Sequence, residues 1–210
     1  MRIQIASDLH LEIPHQSFPG YNPVAPSDAD VLVLAGDIAK GVDAVERFAH
    51  WPVPVIYVHG NHEAYGTLAD NIRLRAAGTA VRYLEREALV VGDVRFLGCC
   101  LWTDYALNGT RGRSMTLAGR MLHDHRVIRI DDGERFRPAH ALAEHEQALG
   151  WLQGQLAEPF DGCTVVVTHH GVAPPKEAGQ VCRVGADVPS LFWPRGLLPG
   201  VLPFVHDFPR

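Results

Sequence analysis

Short, uninterrupted apolar runs alternate with stretches of helical periodicity along most of this chain, and that alternation limits the possible folds more than any other feature. Residues 2–7 (RIQIAS), 30–35 (DVLVLA), 54–59 (PVIYVH) and 163–168 (CTVVVT) are each about one strand long. Runs this short and this apolar fit strands covered on both faces, as in a parallel sheet between other layers. Helices are predicted over 41–50, where Trp51-Pro52 stops the run, and over 66–77, 115–123 and 139–157. Three further strands are predicted at 80–84, 87–91 and 94–99. Gly92-Asp93 joins the last two, a two-residue hairpin signal. Residues 8–29, with Pro14, Pro19, Pro23 and Pro26, and residues 104–114 read as loops. The class is α/β, in one domain without internal repeats.

Composition narrows the function. With 210 residues, 47% apolar and 20% charged, the chain can build a packed core and does not read as disordered. A net charge of -5 argues against a nucleic-acid partner, which would need clustered Lys and Arg. No apolar run approaches the ~18 residues of a membrane span, and the first apolar stretch is too short for a signal peptide. A soluble, cytoplasmic protein without a membrane partner is expected; the oligomeric state stays open. Cys99, Cys100, Cys163 and Cys182 contain no CxxC pair, and Cys99 and Cys163 read as small core residues of strands. From Gly171 onward the chain is rich in Pro and Gly, and segments such as LFWPRGLLPGVLPF are barred from regular helix or central strand.

Four polar clusters begin where predicted strands end: Asp8-Leu9-His10, Gly36-Asp37, Gly60-Asn61-His62-Glu63 and His169-His170. In open α/β sheets, the crevice beyond the carboxyl ends of the strands is the usual ligand site. Asp offers anionic oxygen, His neutral nitrogen and Asn neutral oxygen. That mixture suits Mn, Fe, Zn, Co or Ni better than Ca or Mg. Asp8 and His10, two apart on an extended segment, would leave the same face. Gly36 is expected to turn the chain so that Asp37 reaches in, and Gly60 to do the same for Asn61 and His62.

The order D-x-H, GD, GNHE and then a strand followed by His resembles the calcineurin-like metallophosphoesterases over residues 1 to about 172. The resemblance implies a four-layer α/β/β/α sandwich with a dinuclear metal centre at the sheet edge. Carried over, Asp8 and His10 bind the first ion, Asp37 bridges both, and Asn61 and His169 bind the second. His62 is then not a ligand but the general acid. Two cations about 3.5–4 Å apart would lower the pKa of a shared water from ~15.7 toward ~7. The resulting metal-bridged hydroxide would attack a phosphomonoester or phosphodiester, and His62 would protonate the leaving oxygen, a step worth ~100- to 10,000-fold. Glu63 or another carboxylate is expected to orient the His62 ring. A small phosphorylated substrate is implied.

The family has one more motif, G-H-x-H, whose histidines complete both metal shells, and this sequence has none. The fold is therefore expected to be C-terminally incomplete, with 1–172 as the metallophosphoesterase domain and 173–210 as an atypical tail. Three readings of the tail stay open. It is a truncated or frameshifted end, or the branch works with fewer ligands and one or two ions, or His206 substitutes for one histidine. The rival function is a weak or inactive relative acting as a binding module.

Other histidines are read as structural. His59 and His170 are expected to be packed behind the site, and His140 and His145 to lie on a helix surface. His123 and His125 are read as a solvated helix end rather than cleft lining. Leu101-Trp102-Thr103-Asp104 and His123-Asp124-His125-Arg126 resemble features of one bacterial branch of these phosphoesterases and are left without a role. Arg111-Gly112-Arg113 reads as a solvated loop, and Trp102, Trp151 and Trp193 as packing residues.

Overall fold

The computed structural model describes residues 1–12, 23–65, 69–107, 110–130, 133–171 and 201–203. The first sheet is built from β1 (Ile3–Ala6), β2 (Val31–Ala35), β3 (Val55–Val58) and β4 (Val81–Tyr83), in that spatial order and all parallel. The second has β5 (Glu87–Val91), β6 (Val94–Cys99), β7 (Cys163–Thr168) and β8 (Val201–Pro203). β5 and β6 are antiparallel, with Val91 opposite Val94 across Gly92-Asp93; β7 and β8 continue in parallel. Among the described residues, the three-residue β8 is the edge strand, the position in a sheet where a proline such as Pro203 is tolerated.

Side-chain alternation explains the layers. Leu32, Leu34, Val55 and Tyr57 face one way, into a core with Ala44, Val45 and Phe48 of α1 (Asp43–Phe48) and with Ile72 and Ala76 of α2 (Ala69–Ala76). Their neighbours Val31, Val33, Ala35, Ile56 and Val58 face the other way, against Val94, Phe96, Val165 and Val167 of the second sheet. Leu97, Cys99 and Val166 point out from that sheet toward Ala148, Leu152 and Leu156 of α5 (Pro138–Ala157). Every central strand therefore has two buried faces, which is why the runs are apolar throughout. The result is an α/β/β/α sandwich. Pro138 opens α5 at its first turn, where its missing N–H costs nothing.

Several local expectations are corrected. The helix predicted from residue 115 begins earlier, as α3 (Arg111–Met121), so Arg111-Gly112-Arg113 is its first turn and not a loop. A further short helix, α4 (Asp124–Val127), follows it. Cys163 is exposed at the start of β7, whereas Cys99 is buried. His125 is buried rather than solvated: its Nδ1–H donates to the Phe136 carbonyl (2.9 Å), and its Nε2 accepts from the Tyr105 hydroxyl (3.0 Å). His145 also turns inward, donating from Nδ1 to the Leu101 carbonyl at 3.0 Å. Among the described residues, no helix is long and apolar enough to cross a membrane. Cys182, Trp193, His206 and nearly all of the 173–210 segment lie outside the described residues, as does the middle of the proline-containing 8–29 loop.

Candidate metal centre

The ends of β1, β2, β3 and β7 meet at one place. The backbone joins the first two: Asp8 N–H donates to the Gly36 carbonyl (3.1 Å), and His10 N–H to the Asp37 carbonyl (3.0 Å). The segment carrying Asp8 and His10 is not extended, as spacing alone led one to expect. Asp8, His10 and Asp37 all have left-handed backbone, with φ of 49°, 46° and 52°. Such a conformation costs roughly 1 kcal/mol or more per residue, and is borne where the surrounding hydrogen bonds fix it.

Glu63 is the tie between β2 and β3. It is fully buried. Its Oε1 accepts from Ile38 N–H (2.8 Å) and the Tyr57 hydroxyl (2.9 Å). Its Oε2 accepts from Asp37 N–H (3.1 Å) and Gly60 N–H (2.8 Å). Burial, and then the charge of Asp37, push its pKa up against the pull of those donors. Glu63 is thus committed to the loops and does not orient His62.

That task falls to Glu12, which the sequence reading did not single out. Glu12 Oε1 lies 2.8 Å from His62 Nδ1 and 3.4 Å from His10 Nδ1. With the outer nitrogens of both rings turned to one carboxylate, the inner nitrogens face Asp37: His10 Nε2 and His62 Nε2 are 4.0 and 3.9 Å from Asp37 Oδ2. The two rings meet edge to face at 4.4 Å. Burial is the largest single influence on the Glu12 carboxyl and raises it, but the hydrogen bond and charge of His62, its own backbone N–H and the hydrogen bond to His10 together outweigh it and leave the pKa below the usual value.

Asp37 is the hub. Its Oδ1 accepts from His62 N–H (3.0 Å) and lies 3.4 Å from His169 Nε2. His169 is buried at the end of β7, and its Nδ1–H donates to the Ala35 carbonyl at 3.0 Å. Because that carbonyl can only accept, Nδ1 carries a proton, and Nε2 is the nitrogen turned inward. Nε2 is 3.3 Å from Asn61 Oδ1. Asp8, His10 and Asp37 offer ligand atoms within 4.8 Å of one another. So the structure brings Asp8, His10, Asp37, Asn61, His62 and His169 together.

These residues fit a cation. An amide oxygen and a carboxylate oxygen lie 3.3 and 3.4 Å from His169 Nε2, a cluster of donor atoms of the types that ligate a cation. Close packing leaves no slack. A Cβ on Gly36 would sit 2.4 Å from His169 Nδ1, and one on Gly60 would sit 2.1 Å from Asp37 Oδ1 and 2.8 Å from His169 Nε2. Gly36 also has a φ of +85°, so it serves the turn as expected. Gly60 is required for close approach instead. Behind the site, burial brings His59 and His170 down to about 3, with His169 as the next cause for each, so both are neutral near pH 7. His59 is hydrogen-bonded to the Tyr83 hydroxyl (2.8 Å), and His170 stacks on Trp102 at 5.1 Å, which makes both of them packed.

The sequence over residues 1–191 matches the model of the calcineurin-like phosphoesterases. The chain belongs to that family. Phosphoester hydrolysis supported by divalent metal ions is the chemistry the family implies. Among solved structures, the phosphopantetheinyl hydrolase of Mycobacterium tuberculosis has the same fold, with a TM-score of 0.62 and 19% identity. The likeness covers 80% of this chain and 68% of that one. A comparison with curated proteins finds no match.

Proposed function

We propose that this phosphoesterase hydrolyses a small phosphomonoester or phosphodiester in the cytoplasm, with two divalent transition-metal ions held by Asp8, His10, Asp37, Asn61 and His169. The observation that carries the reading is the convergence on Asp37, whose two oxygens face His10 and His62 on one side and His169 on the other. Asp8 and His10 would hold one ion, Asn61 and His169 the other, and Asp37 both. Such ions would acidify water and offset charge building on the phosphoryl oxygens.

The remaining chemistry belongs to side chains. His62 gives a proton from Nε2 to the leaving oxygen, while Glu12 holds its Nδ1–H and so fixes the ring's orientation. The backbone N–H of His62, bonded to Asp37 Oδ1, keeps the acid in register with the hub. Glu63 fixes the loops that carry Asp37 and Asn61, so neither has to be ordered when substrate arrives.

Metal content and turnover of an aryl phosphodiester test the reading. The parent should bind Mn or Zn and turn over, and Asp37→Asn should lose both. His62→Ala should slow esters with poor leaving groups ~100-fold or more while sparing nitrophenyl esters. Equal losses on both would remove His62 as the acid. A protein that takes up no ion after incubation with Mn would favour the binding-module alternative.

A further inference from the structure

Asn61 has two chemically different ends, and only its carbonyl oxygen can ligate a cation. Its Nδ2 donates to Asp124 Oδ1 at 3.0 Å and approaches the Tyr65 hydroxyl at 3.3 Å. The Tyr65 hydroxyl donates to that same Asp124 oxygen. An ionised carboxylate has no proton to give, so it can hold only the NH2 end of the amide. The opposite end, Oδ1, is thereby turned to His169 Nε2.

Asp124 lies 63 residues from Asn61 and is itself held in place. It begins α4, whose next residue, His125, is buried and bonded on both ring nitrogens. Ile128, which follows α4, is buried in a cluster with Trp102 and Phe136. The anchored helix therefore presents a fixed acceptor to the rim of the site.

From this arrangement we infer that Asp124, assisted by Tyr65, is a positioning residue that sets which end of the Asn61 amide faces the cation. The inference assigns a role to the otherwise unexplained His123-Asp124-His125-Arg126 segment, and it rests on the proposed metal-dependent function. Without Asp124, a half-turn of the amide would aim an NH2 group at His169 and Asp37. Replacing the partner that orients a ligand typically costs 10- to 100-fold in metal affinity.

The test has two readouts. In metal-free, 15N-labelled protein, the Asn61 side-chain NH2 signals, assigned by their loss in Asn61→Ala, should exchange with solvent about 10-fold faster in Asp124→Ala. Tyr65→Phe leaves α4 untouched and should give a smaller increase, which keeps the test sound if Asp124→Ala disturbs the helix. In Zn titrations against a chromophoric chelator, Asp124→Ala should weaken the weaker site about 10- to 100-fold, and Asp124→Asn should fall between it and the parent. In an Asn61→Ala background, Asp124→Ala should cost nothing more. Additive losses, or unchanged amide exchange in both variants, would overturn the inference. Amide protection that depends on Asp124 in a parent that binds no Zn would uphold the orientation and defeat the metal-dependent function instead.

Discussion

Replacing Glu63 by Gln changes one buried oxygen to an NH2 group and almost no volume, so its effect isolates the hydrogen bonds. The Gln carbonyl can still accept from Ile38 N–H and the Tyr57 hydroxyl. Its NH2 then faces the N–H groups of Asp37 and Gly60, donor against donor, and both backbone groups lose their partner. If the amide flips, Ile38 N–H loses its partner and the Tyr57 hydroxyl must turn from donor to acceptor. Each buried group left unpaired costs about 1–3 kcal/mol, so with two of them the variant should lose about 2–6 kcal/mol of a typical 5–15. That corresponds to about 4–24 °C in Tm for a chain of this size. Urea unfolding with EDTA present, so that cation binding does not enter, measures the loss directly. Tyr57→Phe removes a single donor and is the control, at about 1 kcal/mol. A Gln variant no less stable than Tyr57→Phe would refute the argument that this carboxylate ties the β2 and β3 loops together.

Three further outcomes are expected. Gly60→Ala would drive a methyl group into Asp37 Oδ1 and His169 Nε2, and should weaken Zn binding at least about 10-fold while costing only about 1–3 kcal/mol in urea; unaltered affinity would contradict the close approach. Glu12→Gln keeps an acceptor for His62 Nδ1 but not the charge, and should lower kcat about 10-fold on alkyl phosphates with little change on nitrophenyl esters. Burial raises the Glu85 carboxyl from 4.5 to about 7, so the folded protein binds this proton more readily than the unfolded chain. Its contribution of about 3 kcal/mol is present in full below about pH 4.5 and is lost as pH rises through about 7. Urea midpoints of Glu85→Gln should therefore fall less than the parent's between about pH 5 and pH 8, and parallel pH profiles would count against it.

Some of the site was readable before any coordinates. A polar cluster at the end of a buried strand has no packing role, so Asp8, His10, Asp37, Asn61, His62 and His169 stood out by type and placement. The partners of these residues did not. Glu12 lies close to the DxH cluster, but nothing local relates it to a ring 50 residues away. Glu63 adjoins His62 in the chain, and adjacency pointed to the wrong pairing, because its side chain turns toward the backbone of β2. Asp124 sat in a recognised segment without a role, since its acceptor geometry exists only once α4 is anchored beside the β3 loop. The start of α3 was misplaced because Gly112, with no side chain to pack, masks a helical turn.

The sequence by itself determined the layers and the donor types, because hydrophobic period and residue chemistry are local properties written one position at a time. Only the tertiary structure decided which nitrogen of each imidazole and which end of the amide face inward. Those orientations are set by carboxylates and carbonyls that reach the site from other strands and helices, and hydrogen bonds of that kind depend on angle and distance rather than on order along the chain.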